Sequence, residues 1–384
     1  MNLNIKVGIK TQGNPVMREC DGEILLENML IGDGFHWQST ISALLPGTVT
    51  PYRAGDSESA TASDSHISLI NELPLETYLE CVTGSEMNPD APIEFLKAHT
   101  VISRSWALGK ILDIHPKGNQ GQVNTSDTLI GWDDTAGHHG FHVCSDDHCQ
   151  RYQGRQEIPA NTLKAIRDTK GEILAAPDGT LVDARFSKCC GGTTEVFSTC
   201  WQPVKMPCIE SFPDPWCDLS SLSTGSRRAL LSTILKDYDR VTEGYGYRWS
   251  AEITKSEIAS NLARHFGRDI GEILNIRPLH RGASGRIDLL RITGTRGSLD
   301  LGKELWIRRI LSSSHLYSSA FEVEDKSASL RLTGKGWGHG AGLCQIGAAN
   351  MAAQGHSYRE ILSFYYPGSK LTGIDSLNTP EFIP

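Results

Sequence analysis

Residues 73–108, LPLETYLECVTGSEMNPDAPIEFLKAHTVISRSWAL, constrain the fold more than any other stretch of the chain. A short helix-like run ends at Ser85-Glu86-Met87, a proline-punctuated turn follows, and a longer helical pattern begins beyond it. In that second run Phe95, Ala98, Val101, Ile102, Ser105 and Trp106 recur at three- and four-residue spacing, which predicts one face buried against a core. Lys97 and Arg104 share the other side, two turns apart, so both are expected to look back at the turn carrying Glu86. Asn88, Pro89, Asp90, Ala91 and Pro92 read as a helix start, because Asn or Asp caps well and proline suits the first turn. Glu86 is thereby held on a rigid corner between two helices. By pattern alone such a corner suits a solvated helix-end carboxylate more readily than an acid–base group.

The remainder of the chain mixes strands and helices without regular alternation. Residues 3–50 alternate polar and apolar with turn residues between, and 67–70 form a strand feeding the helical corner. A loop is expected over 54–66, a polar Gly-rich stretch over 116–128, a loop over 131–154 and a helix over 159–167. Residues 171–176 and 181–186 read as a strand pair joined by Pro177-Asp178-Gly179. Beyond a Pro- and Ser-rich change of character at 211–250, with a charged helix around 227–237, a helix capped by Thr254 or Ser256 is expected to run to Phe266. Short strands over 273–333 and two last helices, 344–354 and 357–365, complete the pattern. The fold class that follows is α+β. We divide it into a β-rich part (1–70), the corner with its following Cys-rich segment (71–215), an insertion or junction (216–245) and a C-terminal part (246–384).

Composition matters chiefly for what it excludes. With 384 residues, 39% hydrophobic and 21% charged, the chain has material for a sizeable core. A net charge of -8 without any basic block argues against a nucleic-acid surface. The opening Met1-Asn2-Leu3-Asn4-Ile5-Lys6 is strand-like, so neither a signal peptide nor a membrane segment is expected, and a soluble chain follows. Read so, the chain either stays in the cytoplasm or has lost an export signal.

Ten cysteines are many for a cytosolic enzyme, and they cluster. Between His138 and Cys149 four histidines and two cysteines fall within twelve residues, a compact arrangement that suits tetrahedral zinc. The best ligand set is His138, Cys144, His148 and Cys149, with His142 and His139 in reserve; four protein ligands make the site closed and structural. A Cys144–Cys149 disulfide is the alternative. Five more cysteines, Cys189, Cys190, Cys200, Cys208 and Cys217, point to metal ligation or disulfides without choosing a connectivity, and a structural role is favoured over a catalytic thiol.

Two further stretches are candidates for contact with a ligand. Gly334-Lys335-Gly336-Trp337-Gly338-His339-Gly340-Ala341-Gly342 lets backbone approach a ligand closely, with Trp337 as a stacking platform for sugar and His339 as a polar contact. Arg185-Phe186-Ser187-Lys188-Cys189-Cys190-Gly191-Gly192 reads as a strand ending in a Gly-Gly turn.

Taken together, Leu73 to Leu79, Ser85-Glu86-Met87, Leu96-Lys97-Ala98, Ser103 to Leu108, Cys144 to Gly154 and Gly334 to Pro367 resemble the stage II sporulation protein D family, SpoIID/LytB, which includes the amidase enhancers. The resemblance runs in order from about residue 66 to 372. It implies a lytic transglycosylase that cuts the β-1,4 bond between N-acetylmuramic acid and N-acetylglucosamine in peptide-free glycan strands of peptidoglycan. It also implies a place in the cell envelope, periplasm or extracellular space. The family's essential glutamate matches Glu86 and its zinc loop matches 138–149. Lys97, Arg104, Ser187, Lys188, Trp337, His339 and Gln345 are the residues expected to meet substrate. Three departures stand out: Phe186-Ser187-Lys188 replaces the family's Tyr-His-Ser, Cys344 its serine and Ile346 its tyrosine.

A single carboxylate suffices for that reaction, whereas a glycoside hydrolase normally needs two. Glu86 is expected to serve as acid and then base, with Lys97 and Arg104 not paired to it. The alternatives are a non-catalytic, peptidoglycan-binding enhancer of a cell-wall amidase and a zinc-stabilised scaffold.

Overall fold

Helices alternate with several small sheets, in keeping with an α+β chain. The structure is a computed structural model that describes residues 3–34, 38–52, 67–88, 90–114, 121–132, 138–146, 149–155, 159–235, 246–313 and 315–377. The expected loop at 54–66 lies outside these residues, as do 116–120 and 236–245.

The strand Asn4–Lys10 sits inside a four-stranded sheet whose order is Thr48–Pro51, Ile67–Pro74, Asn4–Lys10, Val143–Cys144. Its odd positions Ile5, Val7 and Ile9 are fully buried and pack with Leu69, Leu73, Leu79 and Val82, the two-residue period expected of a strand with one face in a core. Val143–Cys144 runs parallel to it, with Gly8 opposite Cys144. A Cβ at Gly8 would lie 2.8 Å from the Phe141 ring, so glycine lets the 138–149 loop lie close on the sheet.

Helix α1 (Leu75–Glu86) leaves this sheet directly, with Pro74 as its N-cap, and stops where Met87 returns to an extended backbone. Helix α2 (Ile93–Ile111) follows after the turn. Its start departs from expectation: Pro92 holds the N-cap position without a side-chain cap, while Asn88 Oδ1 accepts the Asp90 N–H at 3.0 Å in a local turn. The expected wet face is also absent. From Phe95 to Lys110 every residue except Lys97 is buried, because α1, α3 (Ala160–Asp168), the strand Glu172–Ala175 and the helices Gln345–Ala353 and Tyr358–Tyr365 surround α2. Its buried hydroxyls are satisfied within the helix, Thr100 donating to Leu96 O and Ser105 to Val101 O, each at 2.8 Å.

The Pro177-Asp178-Gly179 turn forms, but the hairpin does not continue. Ala175 and Leu181 make one isolated bridge, Glu172–Ala175 pairs instead with Lys370–Gly373, and Phe186–Ser187 runs parallel to Leu343–Cys344. A distant strand thus wins over the local partner. The helices near the C-terminus fall close to expectation, Lys255–Phe266 with a capping box from Thr254 to Glu257 and Tyr358–Tyr365 with one from Ser357 to Glu360. The charged helix occupies Thr224–Ile234.

Two apolar cores matter for the candidate site. One gathers Met87, Phe95, Val101, Ile102, Cys189, Cys190, Cys344, Ile346 and Tyr365, uniting segments far apart in the chain. The other is built mainly from 249–332, including Trp249, Ile258, Leu290 and Leu332, on a three-stranded antiparallel sheet and a five-stranded sheet in which Gly297–Gly302 pairs parallel with Thr128–Ile130.

Candidate active site

Glu86 closes α1, half-buried, with Met87 beside it fully in the core. Its Oε1 accepts the backbone N–H of Arg151 at 2.8 Å, the one side-chain hydrogen bond to Glu86 among the described residues. The segment around Arg151 is fastened to α1 on both sides. Gln153 N–H donates to Ser85 Oγ at 3.2 Å, and the Tyr78 hydroxyl donates to Gln150 Oε1 at 3.1 Å. Tyr152 is fully buried, its ring stacked on Tyr78 with centroids 5.7 Å apart and its hydroxyl on Asn71 Oδ1. Glu86 is therefore presented by a helix end on one side and a pinned loop on the other.

Neither basic residue of α2 turns toward it. Arg104 is wholly buried, and its Nε and Nη2 bind both oxygens of Glu76 at 2.7 and 2.8 Å while Nη1 binds Glu172 O at 3.1 Å. Glu76 starts α1 and Glu86 ends it, ten residues or about 15 Å away along the helix. Lys97 pairs with Glu94 at 2.9 Å and Asp168 at 3.1 Å, toward α3. The expectation that both look back at Glu86 is corrected by these partners. That neither pairs with Glu86 is as expected.

In the 138–149 loop, His138, Cys144 and Cys149 each offer a ligand atom, and these atoms lie within 4.8 Å of one another. One imidazole and two thiols at that spacing are a donor set that suits zinc. His148, the fourth expected ligand, lies outside the described residues. His142 is not available as a reserve: its Nδ1 accepts the Lys6 N–H at 3.0 Å, and burial pushes its imidazole below the usual range. His139 is exposed and outside the group. Asp146, almost fully buried, anchors the loop by accepting Gly32 N–H at 3.1 Å, Asp33 N–H at 3.0 Å and Lys10 Nζ at 3.4 Å. Cys149 stands two residues before Arg151, so the loop that gathers the ligands also delivers the N–H that holds Glu86.

The remaining expected contacts come together around the Gly-rich segment. Trp337 N–H donates to Cys189 O at 2.7 Å and Cys189 N–H donates to Trp337 O at 3.0 Å. That clip and the parallel pairing of Phe186–Ser187 with Leu343–Cys344 place Ser187, Lys188, Trp337 and His339 along one seam. Gln345, buried, starts the helix Gln345–Ala353 at its end. Burial pushes the His339 imidazole down to about 3, with Arg185, Arg286 and Arg308 adding repulsion, so it is neutral; its Nδ1 accepts the Ala341 N–H at 3.0 Å. Its ring meets Trp201 edge-on at 4.8 Å. These contacts make His339 a fixed, uncharged wall.

Three features have roles that the sequence does not give, although the Ser284-Gly285-Arg286 turn and the Gln150 to Gly154 segment fit the family's pattern. Arg286, fully buried, binds Gly338 O through Nε and Nη2 at 3.1 and 3.0 Å and Cys190 O through Nη1 at 3.2 Å. A Cβ at Gly336 would lie 2.6 Å from that guanidinium, which explains one of the glycines without any ligand. The Arg151 N–H is a backbone group and has no signature in side-chain pattern. Cys190, Asp214, Cys217 and Cys344 converge in the core although up to 154 residues separate them.

Residues 63–175 match the family described as Stage II sporulation protein, and residues 195–342 match a domain of unknown function (DUF8618). The stage II sporulation protein D of Bacillus amyloliquefaciens is 26% identical over 311 residues, covering 80% of this chain and 76% of its own. The amidase enhancer of Bacillus subtilis (strain 168) is 28% identical over 317 residues, covering 77% of this chain and 40% of its own. An uncharacterized protein of Brachyspira hyodysenteriae is 27% identical over 316 residues, covering 82% and 71%. The first match takes in Glu86 and the 138–149 loop, and together the matches support the SpoIID/LytB family for this chain.

Proposed function

We propose that the chain acts on the bacterial cell wall as a lytic transglycosylase, with Glu86 as its one acid–base group. The observation that carries this reading is the state of Glu86: a half-buried carboxylate, no basic side chain paired to it among the described residues, and one oxygen held by a backbone N–H. Held so, the carboxylate keeps its second oxygen for proton transfer. The family match over 63–175 and the names of the relatives favour a cell-wall role.

The chemistry is balanced without water. The protonated Glu86 gives its proton to the glycosidic oxygen as the bond from the anomeric carbon of N-acetylmuramic acid breaks, freeing the 4-hydroxyl of N-acetylglucosamine. The 6-hydroxyl of the same muramic acid then bonds to that carbon and returns its proton to Glu86. The product is a 1,6-anhydro end, and the carboxyl is restored. General acid–base catalysis of this kind is worth about 10²–10⁴ in rate. The seam of Ser187, Lys188, Trp337, His339 and Gln345 is the candidate wall for the glycan, with Trp337 offering an aromatic face.

Zinc held by His138, Cys144 and Cys149, with His148 as the fourth ligand, would be structural and would fix the loop. The chain's own part is positional: the loop carries Arg151, and Arg151 orients Glu86. Among the described residues no helix is long and apolar enough to cross a membrane. A second reading is favoured by the relative named amidase enhancer: a chain that binds peptidoglycan for a separate amidase and does not cut it.

The test is incubation of the protein and Glu86→Gln with peptide-free glycan strands, followed by mass spectrometry. Anhydro-ended fragments from wild type alone would support the transglycosylase. Reducing ends would mean hydrolysis with a second catalytic group, and bound but intact strands would move the reading to the enhancer.

A further inference from the structure

A second cluster of metal-ligand atoms lies in the main core, away from the 138–149 loop in sequence. Cys190 Sγ, Cys217 Sγ, Cys344 Sγ and a carboxylate oxygen of Asp214 all lie within 4.8 Å of one another, and all four residues are buried. They arrive from three separate pieces of chain: the Gly-Gly turn after Phe186–Ser187, the single turn Pro215–Cys217 with Asp214 as its cap, and the start of the helix Gln345–Ala353. Convergence of three thiols and a carboxylate from such distant positions is the pattern of a binding site and not of one flexible loop.

The backbone around the sulfurs is arranged as it would be around thiolates. Cys344 Sγ accepts N–H groups from Cys190 at 3.3 Å and Gly347 at 3.5 Å, and Cys190 Sγ accepts the Gly192 N–H at 3.4 Å. Cys344 is also the N-cap of its helix, where partial positive charge favours a thiolate. Asp214 Oδ1 accepts the Trp216 and Cys217 N–H groups at 3.0 and 3.2 Å, leaving Oδ2 beside Cys190 Sγ at 3.2 Å and the Tyr365 hydroxyl at 3.0 Å. Asp214 is only 1% exposed, and its side-chain partners among the described residues are the Cys190 thiol and the Tyr365 hydroxyl, with no Lys, Arg or His. Buried charge of this kind is normally paired or bound to a metal. Gly347 completes the fit, since a Cβ there would lie 2.8 Å from Asp214 Oδ2.

We propose that Cys190, Asp214, Cys217 and Cys344 bind a single zinc-type divalent ion that ties the wall of the candidate glycan groove to the core. Thiolate sulfurs 2.3 Å from a tetrahedral zinc stand about 3.8 Å apart, which the cluster accommodates, whereas a cluster of several irons would hold them further apart. Three sulfurs and one oxygen close the coordination, so the site is structural. Cys189, whose Sγ is 3.3 Å from Cys217 Sγ, sits next to the set and not in it. The ion would bind immediately behind Lys188 and Trp337, whose backbones already touch Cys344 and Cys189.

The rival for the same atoms is a disulfide, and the test separates the two. The full chain is purified with zinc present and its metal content measured by inductively coupled plasma mass spectrometry, beside Cys144→Ser/Cys149→Ser and Cys344→Ser. The last variant places a serine where the resembling family has one, so it is expected to fold, and circular dichroism checks this. About two zinc ions per wild-type chain and about one in each variant are expected. Cobalt(II) loaded into Cys144→Ser/Cys149→Ser should give the intense thiolate-to-metal absorption of a three-sulfur tetrahedral site, a readout that holds even if Cys344→Ser fails to fold. One ion in wild type that Cys344→Ser retains, no such absorption, or a Cys189–Cys217 or Cys190–Cys344 disulfide found by peptide mapping would overturn the proposal.

Discussion

The two cysteine-bearing regions use similar donor atoms in opposite ways. In the 138–149 loop the donors lie within twelve residues, His138 is half-buried, and the loop's next residues hold Glu86 through Arg151. In the core cluster the donors span residues 190–344, are fully enclosed, and touch Glu86 in no hydrogen bond among the described residues. A local loop can position a functional group while contributing little to the rest of the fold. A long-range cluster joins strands and helices and bears on stability first. The comparison therefore divides the molecule into residues whose loss should unfold it and residues whose loss should only disarm it.

Arg104 gives the largest expected effect and lies on the stability side. Its buried guanidinium binds both oxygens of Glu76 and the Glu172 carbonyl, so Arg104→Met removes the partner of a half-buried carboxylate and leaves a gap in the core. Breaking a fully buried pair costs about 3–5 kcal/mol, and with Glu76 one-third exposed the expected loss lies at the low end, about 3 kcal/mol. A fall of that size is expected in urea unfolding, with kcat of the protein that remains folded unchanged. A lower kcat at full folding would mean that Arg104 reaches the chemistry, and the division would fail.

The loop should behave in reverse. Cys149→Ser is expected to lower Glu86-dependent glycan cleavage by about 10²-fold, the low end of what an acid–base group contributes. Near-ultraviolet circular dichroism of the tryptophans in the two apolar cores should change little. Loss of both together would show that the loop is a folding element of the whole chain.

How much of this was legible in the sequence follows from the same contrast. The corner at Glu86, the grouping of His138, Cys144 and Cys149 and the helix capped by Thr254 are local patterns, and the structure keeps these places among the described residues. Lys97 and Arg104 misled because periodicity shows which residues share a helix face, not what packs on it; five elements cover α2 and leave no wet face. The strand Phe186–Ser187 pairs with Leu343–Cys344, more than 150 residues on, and nothing near either segment announces the other. Asp214 drew no attention because one carboxylate in a proline-rich stretch has no pattern until the fold sets three thiols beside it.

A smaller effect, of order 1–3 kcal/mol, is expected from pH on the core side. His99 is fully buried in α2, its Nδ1 3.3 Å from Ser103 Oγ and its ring against Phe186 at 4.6 Å; burial, with Lys188 nearby, pushes it to about 3. An unfolded histidine titrates near 6.5, so between those values the unfolded chain binds more protons. Its stabilising contribution is whole above about pH 6.5 and is lost as the pH falls toward 3. Thermal unfolding from pH 7 to 4 should show a steeper decline for wild type than for His99→Gln. Parallel curves would remove His99 from the account.

Trp337 should give the smallest change, and it tests where the two regions meet. Its backbone is clipped to Cys189 and its half-buried ring meets Tyr317 edge-on at 5.4 Å, so Trp337→Ala removes the ring without breaking the clip. If the ring is a platform for sugar, KM for glycan strands should rise about tenfold, or about 1.4 kcal/mol, with kcat held. Trp337→Phe should recover most of the loss, because an aromatic face remains. A fall in kcat at unchanged KM would instead mean that the seam behind Trp337 positions Glu86. In that event the core region would share the catalytic role assigned to the loop alone, and stability and catalysis would not separate along the line drawn between them.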